Sequence, residues 1–133
     1  MITQPRMSID TKSYWDGCLR NELRFQRCGA CGEVVFHPRA LCPYCLSDAL
    51  GWHVSSGRGV VYSFTAQHVS LHPDRPLQSP RMLGIAALEE GFHMFTEFLT
   101  DDPALLRIDA PVVVVFDRIA EDLVLPKFRV LAA

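Results

Sequence analysis

The stretch Cys28-Gly29-Ala30-Cys31-Gly32, followed ten residues later by Cys42-Pro43-Tyr44-Cys45, decides how the first part of this chain folds. Two Cys-x-x-Cys pairs supply four thiolates, which is the complete ligand set of a tetrahedral Zn²⁺ site. The residues between the pairs are enough for a short hairpin that returns the second pair to the first. The spacing therefore predicts a zinc ribbon whose metal is structural, because no coordination position is left for a substrate or a water molecule.

Three other interpretations of these cysteines are weaker. A redox dithiol is expected at the start of a helix in a βαβ unit, and no such unit surrounds this motif. A disulfide framework needs an oxidising compartment, for which the sequence holds no sign. Iron also suits four thiolates, so zinc is the prediction and iron its alternative. The fifth cysteine, Cys18, is expected to be a buried, inert thiol.

Composition limits the classes of protein that this chain can belong to. Its 133 residues allow one ordinary domain, or a compact domain with a small appendage, and 49% apolar residues suffice for a real core. The longest apolar run, Ala110 to Phe116, is far too short to cross a membrane. The first six residues lack the apolar segment of a secretory signal, so we expect a cytoplasmic protein with no membrane partner.

The distribution of charge argues against a nucleic-acid partner. The formal net charge is −2. Residues 1–59 carry seven basic and five acidic side chains, or +2, whereas residues 60–133 carry six basic and ten acidic ones, or −4. Proteins that bind nucleic acids concentrate positive charge on the binding domain. The larger part of this chain does the reverse.

An amphipathic helix is predicted before the ribbon. Ser13 is a candidate cap, and the helix is expected to run to about Leu23. Trp15 and Leu19 fall on one apolar stripe, with Tyr14 beside it. A helix before a small ribbon is expected to have little core of its own, so the stripe either packs internally or is a docking face for another protein.

The pattern after Gly57-Arg58-Gly59 changes to the period of two that is typical of strands, which predicts one face made of Val60, Tyr62, Phe64 and Ala66. We predict strands at Val60–Val69, Leu83–Leu88 and Phe92–Leu99, then one helical turn at residues 102–106 with Asp102 as its cap, then strands at Val112–Phe116 and Phe128–Leu131. The long proline-bearing loop at residues 70–82 is a candidate binding element. Three strands, a short helix and two strands are the element order of a five-stranded OB barrel; a generic β-sandwich is the alternative.

The predicted fold class is therefore mainly β, with an N-terminal helix and zinc ribbon followed by an OB barrel. We expect an arm and helix at residues 1–24, the ribbon at 25–56 and the OB-fold domain at 57–133. The chain resembles the family of small OB-fold proteins with a rubredoxin-like zinc ribbon. The resemblance covers roughly residues 13–131 and depends on six motifs: Tyr14-Trp15, Cys28-x-x-Cys31-Gly32, Pro38-Arg39-x-x-Cys42-Pro43-x-Cys45, Ser56-Gly57-x-Gly59-x-Val61-Tyr62-Ser63-Phe64-Thr65, Pro111-Val112 and Pro126-x-Phe128.

The resemblance implies a non-catalytic subunit that works with a thiolase-like or hydratase-like enzyme on acyl-CoA. By that analogy the ribbon and helix contact the partner through Tyr14, Trp15 and Leu19, and the barrel approaches the acyl-CoA. Arg39 and Thr65, which lie in the shared motifs, are candidate ligand contacts; a solvated loop residue is the alternative for Arg39. Self-association of the chain is left open.

Two other functions are weighed against this one. OB folds and zinc ribbons both occur in proteins that bind single-stranded nucleic acids, but Glu121-Asp122, in the loop between the last two strands, would repel phosphates. An independent enzyme that acts on acyl thioesters would need catalytic groups. No residue is predicted to be catalytic, because the five histidines are dispersed and the paired carboxylates fall in turns.

Overall fold

The computed structural model describes residues 4–74 and 76–132. The ends of the predicted arm and barrel domain and Arg75 of the proline-bearing loop lie outside the described residues. One helix, α1, spans Lys12–Leu19. The strands are Arg24–Cys28 (β1), Val34–Val35 (β2), Leu50–Val54 (β3), Arg58–Gln67 (β4), Arg81–Leu88 (β5), His93–Leu99 (β6), Pro111–Ala120 (β7) and Leu123–Val130 (β8), with a short 3₁₀ turn at Pro103–Leu105.

The five C-terminal strands form a closed barrel in the order β4-β5-β6-β8-β7, and β7 returns to β4. All neighbours are antiparallel except β6 and β8, which are parallel. The 3₁₀ turn lies between β6 and β7 and is capped by Asp102, whose Oδ1 accepts a hydrogen bond from the Ala104 amide at 3.0 Å. The predicted OB barrel is confirmed, as are the predicted cap and the position of Pro103.

The ribbon is a three-stranded antiparallel sheet in the order β2-β1-β3. The sequence analysis did not predict β3. Gly51 interrupts its apolar pattern, and glycine weakens a strand signal. β3 forms because it pairs along the full length of β1, from Arg24 opposite Val54 to Cys28 opposite Leu50.

The last two strands are longer than predicted. β7 continues to Ala120, and β8 begins at Leu123 rather than at Phe128. Asp117 and Pro126 made these segments resemble loop, since charge and proline disfavour strand assignments. The antiparallel register between β7 and β8 includes both residues and stabilises both extensions.

A β-bulge overturns part of the face predicted for β4. The register with β5 shifts between Val61 and Ser63, so Tyr62 is the extra residue. Val61 is completely buried, whereas Tyr62 is 56% exposed and Phe64 41% exposed. The alternation Val60, Tyr62, Phe64, Ala66 was predicted to share one face; it does not persist, because one inserted residue reverses the direction of the side chains.

The helix is shorter than predicted and better supported. Thr11, not Ser13, precedes its first turn, and it ends at Leu19 because Asn21 takes a left-handed conformation (φ 60°) that asparagine tolerates. α1 packs against β8 and β1, and Arg24 donates hydrogen bonds to the main-chain oxygen and hydroxyl of Ser13. The expectation that the helix has little core of its own is wrong.

Ribbon and barrel share one hydrophobic core. Phe92, which begins the return from the β5–β6 turn, stacks on Phe36 with centroids 4.8 Å apart and an interplanar angle of 4°, and lies 5.2 Å from Phe25. Phe25 and Phe92 belong to the same buried cluster as the barrel residues Val61 and Phe128. The ribbon is therefore packed onto the barrel rather than tethered to it.

Polar contacts hold the same junction. Glu90 accepts hydrogen bonds from the Ser55 hydroxyl at 2.6 Å and from the Ser56 amide at 2.8 Å. Gly57, at φ 76°, completes the turn into β4, and a Cβ there would lie 2.4 Å from Val114 Cγ1. Only glycine meets both requirements.

Burial raises the pKa of Glu90, but the hydrogen bonds from Ser55 and Ser56 outweigh it and hold the pKa below its ordinary value. A lowered carboxyl pKa contributes stability above the unfolded-state value of about 4.3 and loses it as the pH falls through the folded-state value.

Glu90→Gln is expected to cost about 1 kcal/mol at neutral pH, a figure reduced for solvent screening, and to flatten the decline of stability in acid. Urea unfolding from pH 3 to 7 measures both effects, with Glu121→Gln in the exposed β7–β8 turn as control; equal behaviour of the two variants would contradict the prediction.

Candidate functional site

The four cysteines of the two Cys-x-x-Cys pairs converge in the ribbon. The sulfur atoms of Cys28, Cys31, Cys42 and Cys45 all lie within 4.8 Å of one another. Cys28 Sγ is 3.6 Å from Cys45 Sγ, and Cys31 Sγ is 3.7 Å from Cys42 Sγ. Zn–S bonds of about 2.3 Å in a tetrahedron place sulfurs about 3.8 Å apart. The donor set therefore fits zinc in both chemistry and spacing.

Two tight turns aim the sulfurs at one point. After the first pair, Gly32 takes φ 79° and donates its amide to the Cys28 carbonyl at 2.9 Å. After the second pair, the Leu46 amide donates to the Cys42 carbonyl at 2.9 Å. Amides of Cys31 and Tyr44 also point at the sulfurs of Cys28 and Cys42. Such donors stabilise thiolates, which are the forms that bind metal.

The protonation of the cluster favours a bound cation. The amide of Cys31 lowers the pKa of the Cys28 thiol to about 7. The amide of Glu33 lowers the pKa of Cys31, but burial and the adjacent thiols of Cys42 and Cys28 outweigh it and raise that pKa to about 12. Without a metal, four sulfurs this close cannot all be charged. A divalent cation removes this conflict, and it would leave no position open for substrate.

The buried fifth cysteine takes no part in this cluster. Cys18 is completely buried, and burial raises its pKa to about 11. The predicted burial is confirmed. Within residues 4–74 and 76–132, the four-cysteine cluster is the only group of three or more histidine, cysteine or acidic side chains close enough to hold a metal.

The proposed docking stripe is divided between the interior and the surface. Tyr14 packs edge-on against Phe36 and Trp15, with ring centroids 5.8 and 4.9 Å away, and burial raises the pKa of its hydroxyl. Trp15 is half-buried, and Leu19 is 36% exposed. Only Trp15 and Leu19 therefore have much surface to offer a partner.

The two candidate ligand contacts belong to different parts of the molecule. Arg39 is exposed in the ribbon, where its main chain is anchored to the side-chain amide of the buried Gln26 at 2.9 and 3.1 Å. Thr65 is exposed on β4, opposite Leu83 of β5. The structure holds the Arg39 backbone in place and leaves both side chains accessible.

Sequence reasoning did not find a groove between α1 and the barrel. It has a volume of about 360 Å³, and its apolar walls come from Trp15, Leu83, Phe95, Leu125 and Pro126. We call it the seam groove. Phe95 is 72% exposed beside it. The alternation of His93, Phe95 and Glu97 could have placed Phe95 outside the barrel, but no sequence pattern joins residue 15 to residue 126.

Three charged residues that line the seam groove belong to an ion-pair network. Glu97 lies 3.1 Å from Arg81 and 3.3 Å from Lys127, and Lys127 lies 2.7 Å from Asp117. Burial lowers the pKa of Lys127, but its two carboxylate partners outweigh this and raise it. Two cations thus neutralise two anions, and the groove presents little net charge. None of the histidines outside the ribbon joins this network among the described contacts.

Two family models match the two parts of this chain, the ribbon and the barrel. The family model of the ChsH2 rubredoxin-like zinc ribbon domain matches residues 15–51, and that of the ChsH2 C-terminal OB-fold domain matches residues 52–117. A solved structure described as the Ltp2-ChsH2(DUF35) aldolase superposes with a TM-score of 0.84 at 28% identity, covering 96% of this chain and 98% of that one. A DUF35 protein from Sulfolobus solfataricus (TM-score 0.67, 12% identity, 93% and 87% covered) shares the fold.

Two curated relatives are similar in sequence. The 3-oxo-4,17-pregnadiene-20-carboxyl-CoA hydratase alpha subunit of Mycobacterium tuberculosis is 38% identical over 111 residues, which are 84% of this chain and 35% of the relative. A DUF35 domain-containing scaffold protein of Methanocaldococcus jannaschii is 35% identical over 97 residues, covering 72% of this chain and 68% of the relative. The chain thus spans about a third of the mycobacterial relative and two thirds of the archaeal one.

Proposed function

This chain belongs to the DUF35 family, in which a ChsH2-type rubredoxin-like zinc ribbon precedes an OB-fold domain, and we propose that it is a non-catalytic subunit of an enzyme that acts on acyl-CoA. The partner is a thiolase-like or hydratase-like protein, and the ribbon's metal is a structural Zn²⁺. The proposal places the complex in the cytoplasm. No helix within the described residues is long and apolar enough to cross a bilayer.

One observation supports a subunit rather than an enzyme. The four clustered thiols form a closed ligand set, so a metal bound there has no position left for a substrate. The names of two relatives agree with this role: one is a hydratase alpha subunit and the other a scaffold protein. The Ltp2-ChsH2(DUF35) structure pairs a domain of this kind with an aldolase in its description.

Co-expression with the neighbouring genes tests the proposal. A thiolase-like or hydratase-like enzyme should copurify with the chain in a fixed ratio and be identified by mass spectrometry. The isolated chain should neither hydrate nor cleave acyl-CoA thioesters. Turnover by the isolated chain would make it an enzyme in its own right, and failure of any such enzyme to copurify would refute the subunit role.

Acyl-CoA contact through Arg39 and Thr65 is a finer part of the proposal. Both side chains are exposed, and a guanidinium suits a phosphate group. The complex can be crosslinked to an acyl-CoA analogue, with Arg39→Ala and Thr65→Ala as variants. Weaker crosslinking of a variant would support a contact at that residue, and unchanged crosslinking would contradict it. Sedimentation of the isolated chain would decide whether it also associates with itself.

Nucleic-acid binding is expected to be weak and without sequence preference. The outer face of β5 and β6, which binds oligonucleotides in many OB folds, carries Leu83, Ile85 and Phe95 here. The nearby cations, Arg81 of β5 and Lys127 of β8, are already paired with carboxylates. Fluorescence anisotropy with a single-stranded oligonucleotide at physiological salt should give no affinity tighter than about micromolar. Sub-micromolar binding would promote the nucleic-acid hypothesis.

Trp15→Ala tests the proposed docking role of α1. If Trp15 faces the partner, the change should weaken association by about 2 kcal/mol, as the loss of a buried aromatic anchor does. The fold should survive, because Trp15 is half-buried and lies outside the main buried cluster. Thermal unfolding and titration against the copurified enzyme separate the two effects; a destabilised variant with normal affinity would rule out docking by Trp15.

A further inference from the structure

The barrel closes between β6 and β8 through a short contact of two residue pairs. Their only paired residues are Phe98 with Phe128 and Leu99 with Arg129, whereas β5 pairs with β6 from His93 to Phe98. In an antiparallel pair, every second residue directs its N–H and C=O away from its partner strand. Within residues 93–97 of β6, the N–H and C=O groups that point away from β5 therefore have no paired strand among the described residues.

The seam groove opens onto this unpaired edge. Met94 and Thr96 are each 5% exposed with side chains inside the barrel, yet both line the groove. Four consecutive β6 residues, 94–97, and three consecutive β8 residues, 125–127, form its two long sides. The groove is thus a slot between two strands, and Trp15 of α1 closes part of it.

The chemistry of the slot selects an extended polypeptide. Unpaired N–H and C=O groups along a strand edge are matched by another strand, as in β-strand addition. The apolar walls and the neutralised Arg81–Glu97–Lys127 network suit an uncharged side chain better than a phosphate or carboxylate. Prolines within sheets occur on open edges, and Pro126 leaves the β8 side without one amide donor. The β6 segment has no proline, so a guest strand would pair there.

Resting on the proposed subunit role, we propose that an extended segment of the partner enzyme adds to the open edge of β6 and inserts one bulky apolar side chain into the seam groove, between Trp15 and Phe95. The α1 stripe then forms one wall of the docking site rather than the whole of it. Trp15, Leu83 and Leu125 contact the inserted side chain, and the main-chain hydrogen bonds set the direction of the segment.

Two measurements on the complex with the copurified enzyme test this inference. Leu83→Trp fills the groove from β5 without altering a backbone group, and it should weaken binding at least about tenfold. Ile108→Trp, a change to the same residue at a 54% exposed position outside the groove, is the control and should bind normally. Hydrogen exchange on the unsubstituted chain should show slowed exchange within residues 93–97 when the enzyme is bound, so the inference is testable even if Leu83→Trp fails to fold.

Each contrary result identifies a different error. A stable complex in which residues 93–97 exchange as in the free chain, and which Leu83→Trp does not weaken, would overturn the inference while leaving the subunit role intact. Loss of binding in Ile108→Trp alone would move the docking site to the segment between the 3₁₀ turn and β7. A concentration-dependent dimer of the isolated chain that protects residues 93–97 would assign the groove to a second copy. Absence of a copurifying enzyme refutes the subunit role itself.

Discussion

Removing the metal from the four-cysteine site is expected to unfold the ribbon and to destabilise the barrel with it. Binding of structural zinc contributes about 10–16 kcal/mol in small zinc domains. Here the four cysteines that would hold the metal lie in the two turns that end β1 and precede β3. The sequence alone predicts unfolding of the ribbon and leaves survival of the barrel open. The shared core argues that the barrel is destabilised too, because Phe25 and Phe36 of the ribbon cover Phe92 of the barrel.

Elemental analysis of protein purified under reducing conditions should find one zinc or iron per chain. Chelation should then remove the ribbon's tertiary signals and lower the midpoint of barrel unfolding, which circular dichroism and amide exchange can follow separately. Cys31→Ser should lose the metal, whereas Cys18→Ser, at a cysteine outside the cluster, should keep it. A metal-free chain with intact protection in β1 and β3 would contradict the prediction.

Phe92→Ala is expected to cost about 3–5 kcal/mol of the free energy of unfolding. Phe92 is 5% exposed and packs against Phe25 and Phe36, so its removal leaves a cavity that these two rings of the ribbon cannot easily fill. The loss should be shared by ribbon and barrel, since both pack on this ring. Denaturant unfolding monitored by amides in β1 and in β5 would measure it.

Phe95→Ala is the matched control for this substitution. It lies three residues away on the same segment but is 72% exposed, so its loss should change stability by no more than about 0.5 kcal/mol. Similar costs for the two variants would mean that the junction contributes little. A large cost confined to the amides of one sheet would mean that ribbon and barrel unfold independently.

The domain limits predicted at residues 24/25 and 56/57 stay a prediction, and that comparison would test them. The backbone through this region is continuous in its hydrogen bonding, with the Ser55 amide donating to the Leu23 carbonyl at 2.7 Å. If the ribbon and barrel unfold together, the boundary is a change of sheet within one cooperative unit. Limited proteolysis near Ser56 and Gly57 offers a second measurement.

Most of the fold could be predicted from local sequence patterns. Cysteine spacing identifies a metal site because four soft ligands at these intervals have few other uses, and Asp102-Pro103 predicts a helical turn because both residues act on their own backbone. The order of the predicted strands and the helical turn was sufficient to identify the OB topology. Errors arose where a partner strand decided the outcome: Gly51 in β3 and Pro126 in β8 are stabilised by register with neighbouring strands, which no local pattern reports.

The sequence by itself determined the four-cysteine cluster and the OB barrel. Only the tertiary structure decided which surfaces are free. Trp15, Leu83, Phe95 and Pro126 come from four separate elements, and the bulge at Tyr62 reverses which residues of β4 face outward. The physical reason is that a metal site of this kind depends on spacing within one hairpin, whereas a groove depends on the packing of strands and a helix that are distant in the chain.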